Sequence, residues 1–133
     1  MKNKKAFTLI ELLVVIAIIG LLATLSVIAL NNARAKSRDA KRVADVRQIQ
    51  TALELYFNDN LEYPTTVTPG GTIGNGTTTY MQLVPAPPTP PSTIDRYTYT
   101  QDSDTSYTLE YYLEGNVGSI PAGDNRATNA ALR

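Results

Sequence analysis

The residue best placed to do chemistry in this chain is Glu11, the single charged residue in an apolar run from Phe7 to Leu30. A carboxylate at the centre of a bilayer costs about 3 kcal/mol, so a compensating group is expected. Two kinds of compensation fit the sequence. Thr8-x-x-Glu11 has the spacing of a capping box, in which Glu11 accepts a hydrogen bond from the start of its own helix. Alternatively, a cation from a neighbouring molecule neutralises the carboxylate in an apolar core.

The element that must position Glu11 is a helix long enough to cross a membrane. At 1.5 Å per residue the apolar run is roughly 36 Å long, against roughly 30 Å for a bilayer core. Lys2, Lys4 and Lys5 precede the run, so the N-terminus is expected to stay cytoplasmic. The run is longer than the apolar part of a secretory signal peptide and no small-x-small cleavage site follows closely, which disfavours that interpretation. A plain signal anchor remains the alternative.

The junction between the basic leader and the apolar run resembles a known family. The stretch Lys5–Ile16, KAFTLIELLVVI, is similar to the class III signal of type IV pilins and type II secretion pseudopilins. The resemblance is densest over residues 1–30 and closest in character to the major pseudopilins. It implies cleavage between Ala6 and Phe7 by a membrane-embedded prepilin peptidase, followed by N-methylation of Phe7. Where the family most often has Gly before the cut, this chain has Ala6.

The resemblance also implies an assembly role for Glu11 and a set of partners. Cleavage frees the amine of Phe7, and a neighbouring subunit in a helical filament would place that amine against the Glu11 carboxylate. The implied partners are further copies of the chain, the prepilin peptidase, an inner-membrane assembly platform and membrane lipid; no nucleic-acid site is identified. The implied location is the inner or cytoplasmic membrane, with the N-terminus cytoplasmic and the head outside, and then an extracellular or periplasmic filament.

Composition excludes several kinds of site. The chain has no Cys and no His, so a Ser-His or Cys-His catalytic arrangement and a Cys/His zinc site are excluded. The acids Asp95, Asp102, Asp104 and Asp124 offer the oxygen ligands that calcium prefers, and major pseudopilins commonly bind calcium beside the last strands. No EF-hand spacing is present, and Asp-Ser-Asp is also ordinary turn chemistry. No cofactor other than calcium is expected.

Charge is distributed unevenly along the chain. Residues 1–53 carry nine Lys/Arg against three acids, whereas residues 54–133 carry three against nine. An acidic head and a basic helix could meet between staggered subunits. The alternative is a solvated surface in which Arg34, Lys36 and Arg38 contact phospholipid just outside the membrane.

The expected fold is α+β, with one long helix packed on a small antiparallel sheet of two to four strands. The helix is expected from about Thr8 to Asn60, because an apolar stripe at helical spacing includes Ile49 and Leu53, and Pro64 disfavours continuation. The expected parts are a cleaved leader (1–6), a transmembrane helix (7–30), an amphipathic helix (31–60), a Thr/Gly/Pro-rich loop (61–94), and the sheet with a C-terminal tail (95–133).

Two segments with period-two alternation predict a hairpin: residues 96–100 and 107–114, joined at Asp102-Ser103-Asp104. Val117 to Ile120 is expected to add a short third strand. The side chains expected to face the helix are Tyr97, Tyr99, Tyr107, Leu109, Tyr111 and Leu113; those expected to face outward are Glu110, Tyr112 and Glu114. Met81, Leu83 and Val84 are expected to tether the preceding loop.

The sequence therefore favours a non-enzymatic, membrane-anchored subunit of a type IV pilus or of a type II secretion pseudopilus. The alternative is a single-pass membrane-anchored binding domain, or a carboxylate-only enzyme, with an uncleaved signal anchor. No spacing of acidic residues points to catalysis.

Overall fold

A computed structural model describes residues 7–89 and 97–129. Within them, one helix is followed by two antiparallel sheets: α1 (Leu9–Asn60), the hairpin of β1 (Ile73–Gly74) and β2 (Thr79–Met81), and a three-stranded sheet of β3 (Thr98–Ser103), β4 (Ser106–Leu113) and β5 (Gly123–Thr128) in that order. The predicted α+β class is confirmed.

The chain divides into two compact units, one ending at Arg34 and the other beginning at Ala35. In the first unit every described residue is exposed. By length and composition, α1 can cross a membrane. The second unit contains the C-terminal part of α1 together with both sheets, and it holds the hydrophobic core.

Helix α1 is long because its sequence offers almost nothing to interrupt it: Gly20 is its single glycine, and it has no proline. It ends at Asn60, and the next residue, Leu61, has a φ of 60° and donates its backbone N–H to the carbonyl of Phe57 at 2.8 Å. A residue in this left-handed conformation is a common helix stop. The bounds predicted from the sequence agree with the observed ones to within one residue.

The core of the second unit joins one face of α1 to one face of the three-stranded sheet. Ile49 and Leu53 of α1 and Leu113 of β4 are fully buried. The side chains predicted to face the helix are confirmed: Tyr97, Tyr107, Leu109, Tyr111 and Leu113 are buried, and Tyr99 packs against them half-buried. Period-two alternation therefore identified the inward face of the hairpin correctly.

The turn and the third strand differ from the sequence prediction. Strand β3 continues through Ser103, which pairs with Ser106, so the turn is Asp104-Thr105 rather than Asp102-Ser103-Asp104. Val117 and Ile120 form a single bridge within a tight turn, and the third strand is instead β5. Its sequence, GDNRAT, is rich in residues that are depleted from strands, so local propensity gave no signal for it.

The segment expected to be a loop contains the β1–β2 hairpin and contributes to the core. Ile73 and Val84 are buried, and Met81 packs against the core half-buried. Val84 is fixed by two backbone hydrogen bonds of 2.8 Å, to the carbonyl of Gly71 and from the N–H of Gly70. The expectation that Leu83 tethers the loop is wrong, because that side chain is 67% exposed. Residues 90–94 of the expected loop lie outside the described residues.

Neighbouring residues on β4 offer a test of the sheet register. Leu109 is buried and Glu110 is exposed. Leu109→Ala is expected to lower the free energy of unfolding by roughly 2–4 kcal/mol, because it removes buried methyl groups and leaves a cavity. Glu110→Ala, the matched control, is expected to stay within about 0.5 kcal/mol. Urea unfolding measures both, and equal losses would contradict the observed register.

Candidate processing and assembly site

The start of α1 is closed by the reciprocal hydrogen bonds that the sequence predicted. Glu11 Oε2 accepts from the backbone N–H of Thr8 at 2.8 Å and from its hydroxyl at 2.7 Å. The backbone N–H of Glu11 donates to Thr8 Oγ1 at 3.3 Å. These contacts make a capping box, in which two N–H groups at the helix start find acceptors. Glu11 is thus compensated within its own chain before any neighbour is present.

Apolar surface surrounds this carboxylate. Phe7, Ile10, Val14 and Val15 line an open groove of about 350 Å³ together with Glu11. Phe7 is 79% exposed and Ile10 is 67% exposed. A contiguous apolar surface of this kind requires lipid or other protein to cover it.

The predicted cleavage point falls at the edge of the described residues. Ala6 lies outside them, and Phe7 is the first residue described. In the uncleaved chain the nitrogen of Phe7 is an amide, so it carries no charge to offer Glu11. Pairing between a freed amine and the carboxylate of a neighbour therefore remains a prediction.

A second constellation, which the sequence did not reveal, joins the C-terminal part of α1 to the end of β4. We call Arg38, Asp39, Arg42 and Glu114 the ion-pair cluster. Arg38 donates to both carboxylate oxygens of Glu114, at 2.7 and 2.6 Å. Arg42 Nη1 donates to Asp39 at 2.7 Å and to Glu114 at 2.8 Å. Paired contacts of this type are among the stronger and more directional hydrogen bonds in proteins.

Asp39 and Arg42 are buried and extend the cluster into the backbone around it. Asp39 accepts from the backbone N–H groups of Glu114 at 2.9 Å and Gly115 at 2.8 Å, where β4 ends. Arg42 Nη2 donates to the carbonyl of Pro88 at 3.0 Å. The cluster therefore holds the helix, the strand end and the proline-rich segment together.

The cluster corrects two expectations. Glu114 was expected to face outward, but it is half-buried against α1, and hydrogen bonds from Arg38 lower its pKa to about 2. The carboxylate is therefore ionised at neutral pH. One of the two interpretations of the charge distribution placed Arg38 against phospholipid, whereas its guanidinium is engaged by Glu114. The Arg38, Asp39 and Arg42 spacing on one helix was the available sequence signal, but it did not identify the partner on β4.

The acids proposed as calcium ligands are not all brought together. Asp102 of β3 accepts a hydrogen bond from Thr108 Oγ1 of β4 at 2.7 Å, and Asp104 lies in the turn that follows β3. Asp124 is the second residue of β5 and pairs with Tyr112, whereas Asp102 follows Gln101, which pairs with Tyr107. Tyr107 and Tyr112 are roughly 16 Å apart along β4. In the described part of the chain no group of three Asp or Glu residues could hold a metal ion. Asp95 lies outside that part, and calcium binding remains an untested prediction.

Comparison with known proteins finds a family match at the N-terminus and relatives that align with about half of the chain. Residues 1–27 match the family described as the prokaryotic N-terminal methylation motif. The type II secretion system core protein G of Escherichia coli (strain K12) is 44% identical over 64 residues, covering 48% of this chain and 44% of that protein. The protein of the same name from Vibrio cholerae serotype O1 (strain ATCC 39315 / El Tor Inaba N16961) is 39% identical over 66 residues, covering 50% and 45%.

A fimbrial protein of Pseudomonas aeruginosa is 36% identical over 72 residues, covering 54% of this chain and 47% of that protein. The chain thus spans about half the length of the curated relatives it matches. No solved structure matches. The long apolar helix and the methylation motif fit a protein anchored in the inner membrane by a single span. The resemblance inferred from the leader junction is therefore confirmed: the chain has the N-terminal methylation motif, and over about half of its length it is similar to type II secretion core protein G and to a fimbrial protein.

Proposed function

We propose that this protein is a structural subunit of a type II secretion pseudopilus, with no catalytic activity of its own. The observation that carries the proposal is the apolar surface of the first unit, where every described residue is exposed directly after a leader of the methylation type. Lipid covers such a helix in the membrane, and neighbouring helices cover it in a filament. Similarity to core protein G of several bacteria favours secretion.

A type IV pilus is the second candidate, because a fimbrial protein is also similar to this chain, over 72 residues. The two assemblies are separated by the phenotype of a deletion strain. Loss of exoprotein release with surface fibres intact supports the pseudopilus, and loss of surface fibres with secretion intact supports the pilus.

In the proposed mechanism Glu11 changes partner during assembly. In the membrane the capping hydrogen bonds from Thr8 satisfy its carboxylate. After cleavage between Ala6 and Phe7, the new amine of an adjacent subunit approaches Glu11 within the apolar filament core, where both charges are neutralised. The prepilin peptidase, an inner-membrane assembly platform, membrane lipid and further copies of the chain are the proposed partners.

Processing is tested by mass spectrometry of protein recovered from its native host. The expected N-terminus is Phe7 carrying one methyl group, because the methylation motif covers residues 1–27. A strain without prepilin peptidase is the control and should retain Met1. Assembled filaments built from subunits with an intact leader would contradict the proposed processing.

A further inference from the structure

On the C-terminal part of α1, folding buries the acidic side chains and leaves several basic side chains exposed. The acids between residues 31 and 53 are Asp39 and Asp45, and both are buried. Lys36, Lys41 and Arg47 remain exposed, and none of them forms a salt bridge within the described residues. The sequence alternates in sign here, whereas the exposed side of the folded helix between residues 31 and 53 carries positive charge alone.

These cations border a strip of small side chains. At 100° per residue, Lys36 and Arg47 lie on one edge of the solvent-facing side of α1 and Lys41 lies on the other. Ala40 and Ala44 lie between them, and both are exposed. We call this surface the basic face. Exposed Ser37 and Gln48 share this side of the helix, so its centre is uncharged and its edges are charged, and interfaces likewise have few charges at the core and a polar rim.

The other end of the second unit has the opposite charge. Asp59 and Glu62 are exposed where α1 ends, and Asp104 is exposed in the β3–β4 turn. A 2.8 Å backbone hydrogen bond from Tyr63 N–H to the carbonyl of Asp104 brings the turn beside the helix end. Leu61 lies among these acids and is 75% exposed. We call Asp59, Leu61, Glu62 and Asp104 the acidic end.

Two features of the acidic end are unfavourable for the isolated chain. The Asp59 carboxylate accepts a hydrogen bond from the Tyr80 hydroxyl at 2.7 Å, but its negative charge still lies in the last turn of α1, where the helix dipole favours cations and no basic residue is present. Leu61 adopts a φ of 60°, a conformation that suits glycine and disfavours a side chain of this kind. Features that break local rules concentrate at functional sites.

We propose that the acidic end of one copy docks on the basic face of a second copy, with Leu61 lying on the Ala40–Ala44 strip. The two surfaces match in charge at the rim and in apolar character at the centre. Ala44 and Asp59 are roughly 22 Å apart along α1, so the two surfaces do not overlap. Contacts between different surfaces of identical subunits are head-to-tail and extend into open filaments. This inference rests on the proposed filament function and identifies the contact between the second units of neighbouring subunits.

Phospholipid is a poorer occupant of the basic face. Lys41 and Arg47 lie roughly 16 and 25 Å beyond Leu30 along the helix, whereas polar headgroups add about 5–8 Å to each side of the bilayer core. Attraction to a charged membrane surface decays over a Debye length of about 8 Å at physiological ionic strength. A second copy can neutralise these two cations, which headgroups do not reach.

The absence of cysteine from the chain allows a clean cross-linking experiment on the full-length protein. Two differently tagged copies, one carrying Ala44→Cys and the other Asp104→Cys, are co-expressed and treated with a short bismaleimide linker. Thr98→Cys is the matched control, because Thr98 is exposed at the opposite end of β3. The yield of mixed product from Ala44→Cys and Asp104→Cys is expected to exceed that from every other pairing by at least about fivefold. Only these two positions face each other in the head-to-tail contact.

Charge reversal then tests what holds the contact together. Lys41→Glu in the first copy is expected to lower the mixed product by at least about threefold, and Glu62→Lys in the second copy to restore it to within about twofold. A predominant product between two Ala44→Cys copies overturns the head-to-tail arrangement. Protection of Lys41 by phosphatidylglycerol vesicles without any mixed product assigns the face to lipid and overturns the proposal.

The cross-link is scored both in membranes and in sheared filaments, so its failure is distinct from failure of the proposed function. Filaments that form without the mixed product overturn this contact and leave the filament function intact. If the native host makes no filaments, the proposed function is wrong. The mixed product in its membranes still shows whether the contact forms.

Discussion

Glu11→Gln is expected to lower the yield of filaments by at least about tenfold while leaving membrane insertion intact, because assembly would bury the Phe7 amine of each neighbour without a counter-charge. The variant keeps a side-chain oxygen that can accept the capping bonds from Thr8, so the start of α1 should still form. Filaments sheared from cells are quantified by immunoblot, and the membrane fraction is probed in parallel for inserted subunit.

Thr8→Val is the matched control for this experiment. It removes the hydroxyl that donates to Glu11 and accepts from the Glu11 N–H, but it keeps the carboxylate and its charge. If charge pairing drives assembly, Thr8→Val should form filaments at near wild-type levels. Wild-type yield with Glu11→Gln, together with a loss in Thr8→Val, would leave capping as the main role of Glu11 and remove the charge-pairing mechanism.

Asp39→Ala is expected to lower the free energy of unfolding of the second unit by roughly 3–5 kcal/mol. Asp39 is 1% exposed and accepts from Arg42 and from two backbone N–H groups at the end of β4. Its removal leaves a buried guanidinium with less neutralising charge and two N–H donors without their acceptor. The chain has eight Tyr and no Trp, so near-UV tyrosine circular dichroism during a urea titration reports the loss of packing.

The control for Asp39 is Arg126→Ala, which breaks an ion pair of another kind. Arg126 donates to Glu110 at 3.1 Å, and both side chains are largely exposed. Exposed pairs contribute little because water screens them, so this variant should stay within about 1 kcal/mol of the wild type. If Asp39→Ala were no more destabilising than Arg126→Ala, the ion-pair cluster would not be what fixes α1 to the sheet.

Features that depend on backbone periodicity could be predicted from the sequence. Helix α1 was expected to end at Asn60 and does so, because a long run without proline or internal stop signals meets a turn signal at that point. Leu109 was expected inside and Glu110 outside, because side chains alternate across a strand whatever its partner is. The capping box between Thr8 and Glu11 is likewise local, and its residues are three apart.

The tertiary structure decided the contacts between residues far apart in the chain. Arg38 and Glu114 are separated by 76 positions, and their pairing depends on where β4 meets α1. The same docking buries Asp39 and Asp45 and so leaves the exposed side of α1 positive between residues 31 and 53. Strand β5 was missed for a related reason: its own residues have weak strand propensity, and pairing with β4 supplies what they lack. Local patterns identified which face of each element is apolar, whereas the partner of each polar group was set by packing between elements.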